Sequence, residues 1–146
     1  MLAWIRTFLT MLAVGGFIGV PIALADGRTT SSDGAEVYII TPVDAERVSS
    51  PVTIKFGVRG MDVAPAGTEK ANTGHHHLII DAPLPPFDEP VPANDNYRHF
   101  GGVQTEVTLD LGLGNHTLQL LFADHNHIPH EPVIHSGRII INVKSN

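Results

Sequence analysis

Val52-Thr53-Ile54-Lys55-Phe56-Gly57-Val58-Arg59 alternates apolar and polar side chains over most of its length. Val52, Ile54, Phe56 and Val58 share one face, while Thr53, Lys55 and Arg59 share the other. A period of two is the signature of a strand with one face on a core and one in water. The same reading extends outward. Val103 to Leu111 alternates in the same way, Gly112-Leu113-Gly114-Asn115 forms a turn, and Thr117 to Ala123 returns. Glu36 to Thr41 is rich in β-formers and stops at Pro42, and Arg138 to Val143 reads as a last, well-covered strand. No stretch shows sustained helical periodicity with caps. Short strands at turn-delimited spacing predict an all-β fold, a single antiparallel β-sandwich. Ala82 to Asp95 holds five prolines and reads as a long Pro-rich loop, because proline cannot donate to a ladder. In an immunoglobulin-like order, 75–82 and 115–123 are antiparallel neighbours in one sheet. The start of the first then lies beside the end of the second.

The amino-terminal residues read differently. Arg6 precedes an uncharged apolar run from Phe8 to Leu24, and Ala23-Leu24-Ala25 has the small-x-small form of a cleavage site. Residues 1–25 are therefore expected to be a secretory signal peptide, followed by a flexible leader at 26–34 and a His-rich domain at 35–146. The expected location is periplasmic or secreted, with no membrane span after cleavage. From Asp26 onward eight basic residues face fifteen acidic ones, a net charge of −7 with neutral histidines. No basic patch offers a nucleic-acid footprint. The chain has no cysteine, which excludes disulfides, blue-copper, iron–sulfur and thiolate–zinc sites.

Nine histidines stand in this cysteine-free chain. Most crowd into Gly74-His75-His76-His77-Leu78-Ile79-Ile80-Asp81 and Asp124-His125-Asn126-His127-Ile128-Pro129-His130. The sandwich topology brings these two stretches to one end, with His99 close by. Strand alternation puts His75, His77, Ile79 and Asp81 on one face and His76, Leu78 and Ile80 on the other. His75 and His77 form a His-x-His pair suited to one ion. His125, His127, His99 and His130 are further candidate ligands. His76 is expected to point inward and bond a buried partner, while Asp81 and Asp124 either ligate or brace a ligating imidazole from behind. His116, at the opposite end, reads as structural. Imidazole with some carboxylate suits zinc or copper(II), and one methionine after the leader, Met61, argues against a methionine-rich copper(I) site.

The chain also resembles a family. Gly74 to Asp81, His99-Phe100-Gly101-Gly102-Val103-Gln104-Thr105-Glu106, and Gly114-Asn115-His116-Thr117-Leu118 through Asp124 to His130 are together similar to the small exported bacterial proteins of domain of unknown function 4399. The resemblance covers roughly Glu36 to Val143. It implies an exported bacterial domain and leaves the chemistry to the residues. Val103 stands where that pattern has a third glycine.

Three function classes follow. The first is an exported metal-binding domain for zinc or copper(II) storage, delivery or sensing. The second is a metal-free interaction module whose partner is an exported or cell-surface protein or a polymer. The third is a metal-dependent hydrolase with Glu106, Asp81 or Asp124 as base. Affinity for metal separates the first from the second. Activity lost on chelation and restored by metal would mark the third. Histidine ligation also predicts affinity that falls as pH drops through about 6.5.

Overall fold

The computed structural model describes residues 27–145, and the expected signal peptide lies outside them. The described residues fold into strands with no helix: β1 (Glu36–Thr41), β2 (Arg47–Ser49), β3 (Val52–Arg59), β4 (Asp62–Val63), β5 (Thr73–Ile80), β6 (Tyr97–Phe100), β7 (Glu106–Leu109), β8 (Gly114–Ala123), β9 (Pro129–His135) and β10 (Ile139–Lys144). Among them no helix is long and apolar enough to cross a membrane.

The strands form two sheets, consistent with a β-sandwich. One runs β1-β3-β7; the other runs β2-β10-β8-β5-β4, with β6 also on β5 and β9 also on β8. Alternation explains the first sheet. Val52, Ile54 and Phe56 are buried while Thr53 and Lys55 are exposed. The buried set meets Leu78, Ile80, Leu118, Leu120, Phe122 and Ile141 of the second sheet in the main core. Each such side chain contributes about 1.5–3 kcal/mol by leaving water.

The second sheet is covered on both faces. All eight residues of β5 are buried. Leu78 and Ile80 face the main core, while Ile79 joins Leu121, Ala123 and Val91 in a smaller outer cluster flanked by Ala82, Leu84, Phe87 and Tyr97. The proline-bearing segment between β5 and β6 supplies that cover. It has neither helix nor strand beyond one bridge, Asn94 to Tyr97. Covering the outer face encloses the odd-numbered side chains of β5, His75 and His77 among them.

β5 and β8 pair antiparallel from His75↔Ala123 to Ile80↔Leu118, so the start of one lies beside the end of the other. Two differences from the sequence expectations matter for the site. His99 lies on a strand, β6, directly opposite His77. The expected loop after residue 123 closes sooner, because Pro129 to His135 returns as β9 along β8. Neither segment alternates, and Pro129 and Pro132 are tolerated because β9 is a short peripheral strand.

The leader, expected to be flexible, is docked. Thr30 bridges to Glu131, Ser31 N donates to the Glu131 carbonyl, and Glu131 N donates to the Thr29 carbonyl. Ser31 is buried, its hydroxyl donates to the Pro132 carbonyl, and Arg28 forms an ion pair with Glu131.

Candidate metal centre

His75 and His77 are two residues apart on β5 and therefore point to the same outer face. His99 projects beside them because His77 and His99 are cross-strand partners. His127 completes the set from the loop between β8 and β9. Each of these four histidines offers one ligand nitrogen, and those nitrogens lie within 4.8 Å of one another. His75 Nε2 and His127 Nδ1 are already 3.0 Å apart. Four imidazoles at about 2.0–2.1 Å from a tetrahedral zinc ion place their coordinating nitrogens roughly 3.3 Å apart.

The pairwise spacing also carries shape. Ring centroids of His75 lie 4.8 Å from those of His77, His99 and His127. The His99–His127 spacing is 4.5 Å, His77–His99 is 5.3 Å and His77–His127 is 5.7 Å. In a square-planar set the two longest separations are diagonals that share no ring. Here both involve His77. The four ring centres are therefore not coplanar.

The electrostatics keep the clustered rings unprotonated. His75 and His77 are almost wholly buried, and neither ring nitrogen of His77 meets a hydrogen-bond partner within the protein. Buried polar groups without partners are rare and costly. Burial and then the neighbouring His127 and His99 push His75 down to about 3, while the Asp124 charge opposes the shift. Burial, His75, His99 and His127 push His77 down to about 2. Burial and His127 also lower His99, which is exposed and forms the side of the site open to solvent. The rings are thus held neutral, with lone pairs available to metal.

Close backbone approaches seat the ligands. A Cβ at Gly101 would fall 2.6 Å from His99 Cε1 and Nε2, so only glycine leaves that ring its place. His127 adopts a left-handed backbone, φ 65°, uncommon for a residue with a side chain. Asp124 holds the turn that permits it. Its Oδ1 accepts from the N–H groups of Asn126 at 2.8 Å and Ile128 at 3.0 Å, and its carbonyl accepts from His127 N at 2.9 Å. The His127 carbonyl in turn accepts from Val91 N, tying the loop to the proline-bearing cover.

Other expected site residues lie elsewhere. His125 is outside the four and meets the Asn126 side-chain nitrogen at 2.9 Å. His130 is also outside; β9 carries it under the leader, stacked on Phe122 with Nδ1 3.3 Å from the Thr29 carbonyl. His76 faces the main core, not the metal cluster. It sits between Phe56 and Phe122 with the Gly57 backbone as its polar neighbour, and neither ring nitrogen completes a hydrogen bond of ordinary geometry. Burial lowers it to about 4, with the Gly57 backbone opposing. Asp81 sits at the far end of the sheet, where it accepts from His116 at 2.6 Å and from Thr117 N at 2.7 Å. Asp124 braces a ligand loop through the backbone and does not bond an imidazole. Thr29 and Gly101 escaped the sequence reading: Thr29 lies in the leader, and Gly101 shows its purpose only once His99 is placed.

The chain belongs to the family described as domain of unknown function (DUF4399), which matches residues 54–144 and so takes in all four clustered histidines. Searches of the curated proteins and of the solved structures found no match.

Proposed function

We propose that this is an exported metal-binding domain that holds zinc through His75, His77, His99 and His127 for storage, delivery or sensing. The observation that carries the reading is the convergence of four imidazoles, two of them fully enclosed, in which His77 has no protein partner at either nitrogen and His75 none at Nδ1. We favour zinc over copper(II) because four imidazoles whose ring centres are not coplanar suit a tetrahedral ion, and copper(II) favours tetragonal sets. The strand pairings β1-β3-β7 and β10-β8-β5 support reading the sandwich as immunoglobulin-like.

Binding is favoured over hydrolysis. Four protein ligands fill a tetrahedral shell, whereas catalytic zinc keeps one position open. The carboxylates considered as bases are engaged elsewhere. Asp81 pairs with His116, Glu106 lies on the other sheet beside Lys55, and Asp124 is committed to its turn.

The test is elemental analysis of tag-free protein, paired with zinc titration of the metal-free form. Near-stoichiometric zinc, lost on changing His75 and His77 together to alanine, is the expected result. No retained zinc and only millimolar affinity would overturn the reading.

A further inference from the structure

We infer that Thr29, in the docked leader, is a positioning residue for the metal centre, acting on the His127 ligand through Asp124. This inference rests on the zinc-binding reading and adds to it a segment that contributes no ligand. Thr29 also lies outside the residues that the family matches.

Asp124 is buried, and its two carboxylate oxygens have different duties. Oδ1 accepts the N–H groups of Asn126 and Ile128 and so defines the turn in which His127 takes its left-handed backbone. Oδ2 accepts the Thr29 hydroxyl at 2.6 Å. The hydroxyl is the side-chain donor that orients the carboxylate, because the other bonds come from the turn's own backbone. With Oδ2 unsatisfied, a buried charged oxygen seeks water and the carboxylate rotates away from the two N–H groups. The His127 imidazole then loses the backbone conformation that aims it at His75. Burial opposes the ionisation of Asp124, but the Thr29 hydroxyl and the N–H groups of Ile128 and Asn126 outweigh it and keep the carboxylate charged.

The leader is fastened well enough to serve as a brace. Thr29 is flanked by the Arg28–Glu131 ion pair and by the backbone bonds of Thr29 and Ser31 to Glu131. His130 packs beneath it against Phe122. By linkage the coupling runs both ways: a leader that tightens zinc binding is itself held more firmly when zinc is bound.

The test compares Thr29→Val, which keeps the shape and removes the hydroxyl, with Thr29→Ser, which keeps the hydroxyl. Zinc affinity of the full chain is measured by competition with a chromophoric chelator, and cobalt(II) spectra report coordination geometry. Thr29→Val is expected to weaken zinc about tenfold and to shift the cobalt spectrum, since losing a partner behind a ligand costs a metal site 10–100-fold. Thr29→Ser is expected to restore both. A merely structural role would lower the melting temperature and leave affinity and spectrum alone, and that result would overturn the inference. Should Thr29→Val fail to fold, the parent protein still decides. Zinc is expected to slow tryptic cleavage after Arg28, read by mass spectrometry, and an unchanged rate would overturn the coupling. A parent that binds no zinc refutes the metal centre itself. A parent that binds through His75 and His77, with Thr29→Val binding equally well, refutes only the role of Thr29.

Discussion

Histidines stand at both ends of the β5–β8 pair, and their surroundings differ completely. At one end His75, His77, His99 and His127 face one another: His77 lacks a partner at both nitrogens and His75 at Nδ1, while His75 Nε2 meets only the His127 ring. At the other, His116 Nδ1 lies 2.6 Å from the Asp81 carboxylate and Nε2 lies 2.8 Å from the Gly112 carbonyl. Two acceptors require two N–H donors, so that ring is suited to the imidazolium form. Burial opposes the charge on His116, but the bonds to Asp81 and Gly112 raise its pKa above the ordinary value. At the clustered end burial and neighbouring imidazoles lower the values instead. A histidine's role is therefore decided by what faces its nitrogens. Where acceptors face it, the ring is a cationic clamp. Where other imidazoles face it, the ring stays neutral and could hold a metal.

The largest contrast comes from removing one histidine at each end. His77→Ala is expected to weaken zinc by more than about 100-fold, beyond what loss of an outer partner costs. His116→Ala should leave zinc affinity unchanged and lower stability by about 1.5–3 kcal/mol, the scale of a hydrogen bond to a charged group. Chelator competition and urea unfolding of both variants would check this. Equal zinc affinity in the two would erase the distinction between the ends.

pH separates the ends next. His76, His75 and His77 have folded values below the unfolded value of about 6.5. As pH falls below 6.5 the unfolded chain takes up protons that the folded chain refuses, so stability of the metal-free protein declines. For His76 the loss runs from pH 6.5 down to about 4 and is on the order of 3 kcal/mol. His116 has the opposite sign: its contribution is complete below 6.5 and is lost as pH rises through its raised value. Unfolding curves of metal-free protein across this range should slope down on both sides. His116→Ala should flatten only the alkaline side. The lowered values also move proton competition for the metal: zinc should be retained below pH 6.5, where free imidazole would release it.

A smaller effect is expected at His76, which shares β5 with the ligands but faces the core. His76→Leu replaces an unpartnered buried ring by an apolar side chain. It should stabilise the metal-free protein by about 1 kcal/mol, remove part of the acid sensitivity and leave zinc affinity intact. A large loss of zinc on this change would mean that the two faces of β5 are not independent. The smallest effect belongs to Val103, just past the strand that carries His99. Its φ of 67° is strained for a β-branched side chain. Val103→Gly should raise the unfolding free energy slightly, by a few tenths of a kcal/mol once glycine's entropy is offset. Zinc affinity should not change.

Much of the sandwich was legible because alternation is a local signal. β1 and β3 span the residues expected of them, and β10 is shifted by one residue, whereas β8 starts three residues before Thr117 and the strand expected from Val103 to Leu111 is only Glu106–Leu109. Segments without that signal were not legible: Tyr97–Phe100 and Pro129–His135 are strands because β5 and β8 offer them open edges. The ligand set divides in the same way. His75 and His77 follow from two-residue spacing on a strand. His99 and His127 could only be placed near the end of the fold, and His125 and His130 looked equally eligible. What separates His127 from His125 is a positive φ held by Asp124, a property of one turn and its hydrogen bonds.

The sequence by itself determined the all-β class, the opposite faces of His76 and its neighbours, the absence of thiolate chemistry and the family. These depend on residue type and on periodicity along the chain, and both are local. Only the tertiary structure decided which four imidazoles meet, that the second sheet is covered on its outer face, and that the leader reaches Asp124. Those depend on register, loop closure and burial. Contacts between residues nearly a hundred positions apart, such as Thr29 with Asp124, leave no periodic trace in the chain.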